Sequence, residues 1–289
     1  MTSHFPQDEA LLRADLLERM RRVRPARKGG FTPRARNAFT YGCKHRETLK
    51  SVLVEKPALV VVLRGSKEIW IGARCLTMPT GSVFVLPRGL RAHFVNVPDD
   101  SLGLYESLLL EVDGLPQSVP RLSPAERAAP RADLRVALSR DLVEALGHAA
   151  QHLSEAEGFE TIRDLRVAEI LMLLRPVPQA RPLFEQTLAE DARWLMRSAP
   201  ADPWSVEGVA EVFGISGPTL RRRLAAEGTA FRALLREVRM EAARAALAEG
   251  SGSLAAAEAA GYASRSHFAR AFRDVYGATP TGRGRVAAE

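Results

Sequence analysis

Two stretches in the last third of the chain repeat one order of small, turn-forming and apolar residues, and this repetition constrains the fold more than any other feature. The first stretch places Ala210, Gly214 and Leu220 in that order. A helix-turn-helix needs a small residue where its helices meet, a glycine that can adopt a left-handed turn, and an apolar residue that anchors its second helix. The first stretch therefore predicts a helix-turn-helix.

The second stretch repeats this order with a turn that is one residue longer. Ala257 and Gly261 occupy the first two positions, and Phe268 is the anchor. Ser216 and Ser264 precede the second helix of each stretch, where a hydroxyl can cap a helix N-terminus. The chain is therefore predicted to carry two helix-turn-helix units in tandem, which indicates sequence-specific DNA binding.

Three strings in this region resemble the C-terminal domain of AraC/XylS-type bacterial transcription regulators. They are VAEVFGISGPTLRRRL, GTAFRALLREVRMEAARAAL and AAGYASRSHFARAFRDVYGATP. The resemblance covers roughly the last 100 residues of the chain. It departs from the family at Gly282 and Gly284, which interrupt the place where the family usually has a helical turn with an aromatic residue.

The resemblance implies that two recognition helices, joined by a rigid linker helix, enter successive major-groove segments of double-stranded DNA. It also implies contact with RNA polymerase, most commonly as an activator. The linker helix is predicted from about Phe231 to Ala248, 18 residues or about 27 Å at the usual rise per residue. That length is compatible with reading segments one helical turn apart, about 34 Å.

Helical phase selects the side chains that face DNA. Arg222 and Arg223 point away from the anchor Leu220, and Arg222 aligns with an arginine that the family commonly presents to base edges. Arg270 is its counterpart in the second unit, and a guanidinium that contacts guanine is the usual specific pairing. A solvated surface position is the alternative for each arginine. The predicted DNA-binding residues are Ser216, Thr219, Arg221, Arg222, Arg223, Arg265, Ser266, His267 and Arg270.

The net charge of +7 does not lie in this region. Residues 1–50 hold 12 basic and 5 acidic side chains, residues 51–183 hold 15 and 16, and residues 184–289 hold 14 and 13. Residues 1–40 are therefore predicted to be a basic arm, a short amphipathic helix followed by a flexible linker. The arm is either solvated, or it touches DNA or closes over a ligand.

Residues 41–175 predict a β-rich sensor and dimerisation domain. Short apolar runs separated by proline and glycine indicate hairpins between about Lys50 and Val112, and two helices follow at about Ser139–Leu153 and Thr161–Leu174. The pattern resembles the cupin-like β jelly roll that this family often places first, so the fold class is α+β with two domains. RPVPQARP predicts a linker at residues 176–183, and residues 184–289 form the DNA-binding domain.

The second helix of the β-rich domain carries a broad apolar stripe that must be covered. Its own domain covers the stripe, or a homodimer contact does so through Ile162, Leu165 and Leu171. Trp70, Arg91 and His93 are candidates for a ligand site, against the alternative of a filled core. No metal or cofactor is expected, because His45 and His93 do not form a metal-binding set.

Composition narrows the remaining classes of protein. No stretch predicts a membrane span or a secretory signal, and Cys43 and Cys75 are isolated, which is typical of a cytoplasmic protein with reduced thiols. A DNA-binding transcription regulator that senses a small-molecule effector or a protein anti-activator is the leading hypothesis. The alternative is an enzyme, of the DNA-repair or cupin type, with an accessory DNA-binding domain. No catalytic motif supports that alternative.

Overall fold

The computed structural model describes residues 6–23, 29–35, 37–128, 133–153 and 160–280. The chain divides into two compact units, Met1–Glu185 and Gln186–Glu289. Within the described ranges, no helix is both long and apolar enough to cross a membrane.

The linker predicted at residues 176–183 is wrong. Pro178–Phe184 form a 3-10 helix of the N-terminal unit, and Ala180, Leu183 and Phe184 on it are buried. Prolines fix φ and suit the first turn of a helix, so this proline-rich run starts a packed helix and does not mark a free connection. The unit boundary falls just after it, between Glu185 and Gln186.

The N-terminal unit is a sandwich of two antiparallel sheets, which confirms the predicted β-rich domain. The described strands are β1 Gly30–Ala35, β2 Ala38–Cys43, β3 Glu47–Leu53, β4 Ala58–Arg64, β5 Ser66–Ile71, β6 Arg74–Pro79, β7 Val83–Leu86, β8 Arg91–Val97, β9 Tyr105–Glu111 and β10 Arg135–Val136. One sheet has the order β1-β2-β9-β4-β7-β10, and the other has the order β3-β8-β5-β6. The narrower cupin-like label stays a prediction.

Alternating side chains of both sheets fill the space between them, as the period of two along a strand requires. Val60 and Phe84 come from the larger sheet, and Ile69 and Phe94 come from the smaller one. All four are buried. The interior of the sandwich is a packed apolar core around these residues.

The described parts of the first 40 residues do not form a separate arm. Helix α1, Pro6–Met20, buries Leu16 and Met20, and its Arg19 lies so close to Gly147 that a Cβ there would be 2.9 Å from the arginine Cδ. Strand β1 and the start of β2 complete the larger sheet. A helix that buries Leu16 and Met20 is not a solvated arm, so that expectation is corrected. Residues 24–28 of the predicted basic linker lie outside the described residues.

Replacing Leu16 with alanine tests this packing. Leu16 is fully buried, whereas Leu11 on the same helix is 70% exposed. Removing a buried leucine side chain costs roughly 2–5 kcal/mol, so Leu16→Ala should lower the stability of the N-terminal unit in denaturant unfolding. Leu11→Ala is the matched control and should change it by less than about 0.5 kcal/mol. Equal, small effects of the two substitutions would contradict the packed helix.

Two helices follow the strands close to their predicted positions. They are α3, Arg140–Leu153, and α4, Glu160–Leu174, preceded by a short α2 at Pro124–Ala128. Leu171 is 2% exposed and lines a small apolar cleft with Leu59 and Leu183 of its own unit. The dimer role predicted for Leu171 is therefore wrong. Leu165 is exposed and Ile162 half-buried, and their dimer role stays a prediction.

The C-terminal unit is helical, as predicted. Its described helices are α5 Leu188–Arg197, α6 Val206–Val212, α7 Gly217–Ala226, α8 Phe231–Ala248, α9 Ser253–Ala259 and α10 Arg265–Tyr276. Helix α8 contributes Leu234 and Val238 to a first core with α5, α6 and α7. It contributes Met240 and Ala243 to a second core with α9 and α10. One helix thus carries two small cores, and Gly282 lies outside the described residues.

Candidate nucleic-acid interface

Helices α6 and α7 form the first helix-turn-helix, with each local signal in its predicted place. The Ser205 hydroxyl accepts a hydrogen bond from the Gly208 amide at 3.0 Å and caps α6. Gly214 turns the chain with a φ of +64°, a conformation that costs glycine little. The Ser216 hydroxyl caps α7, and Leu220 is fully buried beneath it. The turn therefore holds α7 across α6.

Helices α9 and α10 form the second unit in the same way. Gly261 has a φ of +69°, and the Ser264 hydroxyl caps α10. Phe268 and Phe272 are buried one turn apart, with their ring centroids 5.7 Å from each other. Gly277 ends the helix in the left-handed conformation. The longer second turn predicted from the sequence is confirmed.

Three consecutive arginines lie on α7, and the structure distinguishes between them. Arg221 donates to Glu207 at 2.9 Å, in an exposed ion pair that joins α7 to α6. Arg222 and Arg223 are exposed and make no hydrogen bond or ion pair with any described residue. Because Leu220 and Leu224 bury the opposite face, these two guanidinium groups are free to reach a ligand outside the helix.

The exposed face of α10 carries the corresponding groups of the second unit. Arg265, Ser266, His267 and Arg270 are all exposed. Neither of the two arginines has a partner in the described part of the chain. Arg273, one turn after Arg270, is exposed as well. The sequence-predicted side chains of α10 thus share an accessible surface.

The two hydroxyl groups near the start of α7 that are predicted to contact DNA, those of Ser216 and Thr219, interact with each other. Ser216 Oγ and Thr219 Oγ1 lie 2.9 Å apart at the start of the helix, and Thr219 is half-buried. Both can still accept or donate to a phosphate, since a hydroxyl has one donor and two acceptor sites. Backbone contacts at a helix N-terminus position a protein on DNA without reading its sequence.

The candidate ligand residues of the N-terminal unit do not line an internal pocket. Trp70 and His93 are paired across β5 and β8 and are exposed, as is Arg91. Trp70 Nε1 donates to Glu68, and His93 Nδ1 accepts from the Ser51 amide. They lie on the outer face of the smaller sheet, because Ile69 and Phe94 occupy the inner face. The pocket interpretation of these residues is corrected.

Sequence reasoning missed a buried polar group inside the sandwich. Lys67 is 8% exposed, and its ammonium donates to Asn96 Oδ1 at 2.5 Å. It also lies 5.1 and 5.2 Å from the ring centroids of Phe94 and Tyr105. Burial lowers the pKa of Lys67 to about 8, because a desolvated ammonium loses the hydration of its charge. The sequence signal is that Lys67 shares the period-two phase of Ile69 along its strand, whereas the register with Asn96 is seen only in the structure.

The low pKa of Lys67 makes the stability of the N-terminal unit depend on pH. Between pH 8 and 10.5 the unfolded chain holds a proton on this lysine that the folded chain has lost, so this group makes the free energy of unfolding rise with pH. Lys67→Met should remove a rise of about 1 kcal/mol between pH 8 and 9. Denaturant unfolding at several pH values measures the slope.

The pKa values of neighbouring groups limit the pH range in which that experiment reports on Lys67. The pKa values of Cys43, Tyr41 and Tyr105 are raised, chiefly by burial, so these groups lower stability only as pH rises through about 9 and above. The partly exposed Lys56 provides the control variant Lys56→Met, which should keep the slope of the unmodified protein. A Lys67→Met slope equal to that of the unmodified protein would refute the assignment.

Metal-binding side chains do not gather anywhere in the described ranges. His45 and His93 belong to no group of three or more histidine, cysteine or acidic residues that could hold an ion. Cys43 and Cys75 are free thiols, half-buried and exposed respectively.

Comparison with known proteins bears on the helical unit. The family model described as "Helix-turn-helix domain" matches residues 209–282, which span α7 to α10 and the end of α6. The HTH-type transcriptional regulator YdeO of Escherichia coli K12 is 33% identical over 88 residues, covering 30% of this chain and 35% of that protein. The HTH-type transcriptional activator CfaD of Escherichia coli is 36% identical over 78 residues, covering 27% of this chain and 29% of that protein.

Among solved structures, a DNA-binding transcriptional dual regulator from Escherichia coli K-12 is 28% identical. It matches with a TM-score of 0.33, over 34% of this chain and 94% of that one. The chain thus spans about a third of the length of the curated relatives that it matches. Because the matched segment coincides with the two capped helix-turn-helix units, this chain carries an AraC-type helix-turn-helix domain over residues 209–282.

Proposed function

We propose that this chain is a sequence-specific DNA-binding regulator of transcription that reads two successive major-groove segments, one with α7 and one with α10. The observation that carries the proposal is that both helix-turn-helix units are built on the single helix α8, which supplies residues to both cores. A continuous 18-residue helix sets the two recognition helices at a defined separation. Two half-sites one helical turn apart require such a separation.

The exposed arginines supply the chemistry for reading bases. Arg222 on α7 and Arg270 on α10 are exposed and unpaired among the described residues. A guanidinium contacts guanine O6 and N7 in the major groove through two hydrogen bonds. The near balance of charges in residues 184–289 means that placement of these groups, more than bulk charge, supports DNA binding.

The regulatory part of the proposal rests on the N-terminal unit. It has its own core and sheets, and it senses a small-molecule effector or a partner protein that adjusts DNA binding or contact with RNA polymerase. The resemblance to AraC/XylS-type regulators supports activation as the mode of regulation. It also supports a location in the cytoplasm. Of the curated relatives described above, one is named a transcriptional regulator and the other a transcriptional activator, which favours a regulator over an enzyme with an accessory DNA-binding domain.

Selection from a random pool of double-stranded DNA tests the proposal. The full chain is incubated with the pool, bound fragments are recovered, and several rounds are sequenced. The expected result is one motif with two conserved segments whose centres lie about 10 base pairs apart. Failure to enrich any motif would contradict the proposal, and a motif with a single segment would contradict the use of both recognition helices.

A further inference from the structure

Arg239 on α8 contacts elements of both helix-turn-helix units. Its Nε donates to the Pro200 carbonyl at 3.2 Å, and its Nη2 donates to the Asp202 carbonyl at 3.0 Å. Its guanidinium carbon lies 6.0 Å from the centre of the Tyr262 ring. The two carbonyls belong to the loop 199–204 that leads into α6, whereas Tyr262 lies in the turn between α9 and α10. One side chain therefore joins the entry of the first unit to the turn of the second.

The loop and the turn also touch directly. A Cβ built on Gly261 would lie 2.8 Å from the Cα and the carbonyl oxygen of Ala201, a distance that real side chains do not show. The two backbones are thus in contact beside Arg239. Glycine is the residue that permits such close approach of one backbone to another.

Each end of this contact is anchored in its own unit. In the loop, Trp204 Nε1 donates to the Ala199 carbonyl at 2.8 Å, and the Trp204 ring packs against the first core. In the turn, the Tyr262 ring packs against Phe268 of the second core, with centroids 5.7 Å apart. The position of Arg239 is therefore coupled to both cores and not only to the surface of α8.

Arg239 adds a directional contact to the apolar packing of the second unit on α8. That packing joins the small side chains of Ala243, Ala256 and Ala257 to the larger ones of Met240, Phe268 and Phe272, and apolar contact is non-directional. The connection from α8 to α9 contains Gly250 and Gly252, so it restrains rotation weakly. Hydrogen bonds and a stacked guanidinium are directional and can fix the angle between the units.

We propose that Arg239 is a positioning residue that fixes the orientation of the second helix-turn-helix relative to the first, and so sets the spacing of DNA segments that the protein accepts. This inference rests on the proposed function. Arg239 acts through the loop 199–204 and Tyr262 and needs no contact with DNA. A preset orientation also avoids the ordering cost that two mobile units would meet on binding.

A spacing series measures this role on DNA. The selected site is rebuilt with zero, one or two base pairs inserted between its segments, and affinities are measured by fluorescence anisotropy. The unmodified chain should lose affinity steeply with each insertion. Arg239→Ala and the charge-conserving Arg239→Lys should bind the original site about tenfold more weakly and should discriminate less between the spacings.

Arg244→Ala is the matched control, because Arg244 lies on the same helix but stacks on Tyr276, 5.9 Å from its ring centre. It should keep the full spacing dependence. If the Arg239 variants keep the same ratio of affinities between spacings as the unmodified chain, the inference is overturned, whatever their absolute affinity. A chain that selects no DNA contradicts the proposed function and this inference together.

A distance measurement tests the same role without DNA. Spin labels are attached to cysteines placed at the exposed Glu211 of α6 and Glu258 of α9, with Cys43 and Cys75 replaced. Pulsed electron resonance should give a narrow distance distribution for the parent and Arg244→Ala proteins, and a broad one for both Arg239 variants. An unchanged narrow distribution in Arg239→Ala would overturn the inference even if the proposed function holds.

Discussion

Gly261→Ala should destabilise the C-terminal unit by about 3 kcal/mol, the largest effect of a single methyl group expected at any described glycine of that unit. The new Cβ would meet the Ala201 backbone at 2.8 Å, and a backbone cannot rotate away as a flexible side chain does. The residue also has a φ of +69°, which costs an alanine roughly 1–2 kcal/mol. The two costs act at one position, so we expect them to combine.

Gly214→Ala is the matched control for this prediction. Gly214 occupies the equivalent turn with a φ of +64°, but a Cβ there would have no atom within 4 Å. The substitution Gly214→Ala should therefore lower the stability only by the conformational strain, roughly 1–2 kcal/mol. Denaturant unfolding followed by the far-ultraviolet circular dichroism of the helices compares the two variants. Equal losses of stability would show that the contact with Ala201 does not exist in solution.

Arg222→Ala and Arg270→Ala should each weaken binding to the selected DNA by roughly 1–3 kcal/mol, or about 5- to 150-fold. Both side chains are exposed and free of partners among the described residues, so their removal leaves folding intact. Only the contact with DNA is lost. Titration of labelled DNA by fluorescence anisotropy at one fixed salt concentration measures the change, since affinity for DNA falls with salt.

Two controls separate base reading from loss of charge. Arg221→Ala removes the same charge from the same helix, but Arg221 is paired with Glu207, so we expect a smaller loss than for Arg222→Ala. Arg140→Ala removes an exposed arginine from the N-terminal unit and should leave affinity unchanged. If all four variants lose affinity equally, the arginines act by bulk charge and the assignment of Arg222 and Arg270 is wrong.

The helical unit could be predicted from the sequence because its signals are local. Each helix-turn-helix has three such signals: a glycine that turns the chain, a serine that caps the next helix, and a leucine or phenylalanine that anchors that helix. They lie within a dozen residues of each other, as at Gly214, Ser216 and Leu220. The contact of Gly261 with Ala201 could not be predicted in this way. It joins residues 60 positions apart, and nothing near either residue indicates the other.

Two features of the N-terminal unit could not be predicted from the sequence either: the inward face of the smaller sheet and the strand β1. Alternation along β5 and β8 separates Trp70 and His93 from Ile69 and Phe94, but alternation alone does not tell which set faces inward. The packing of the smaller sheet against the larger one decides it, and that packing joins residues that are far apart in the sequence. Strand β1 was missed because its sequence, GFTPRA, contains a proline and an arginine. An edge strand tolerates both, since one of its sides needs no hydrogen-bonded partner.

The central claim is that two recognition helices of one chain read two separate segments of DNA. Repeating the selection from random DNA with Arg222→Ala and with Arg270→Ala tests it most directly. We predict that each variant loses base preference in only one segment, a different one for each variant, while the other segment keeps its sequence. Loss of preference in the same segment for both variants, or in neither, would contradict the claim.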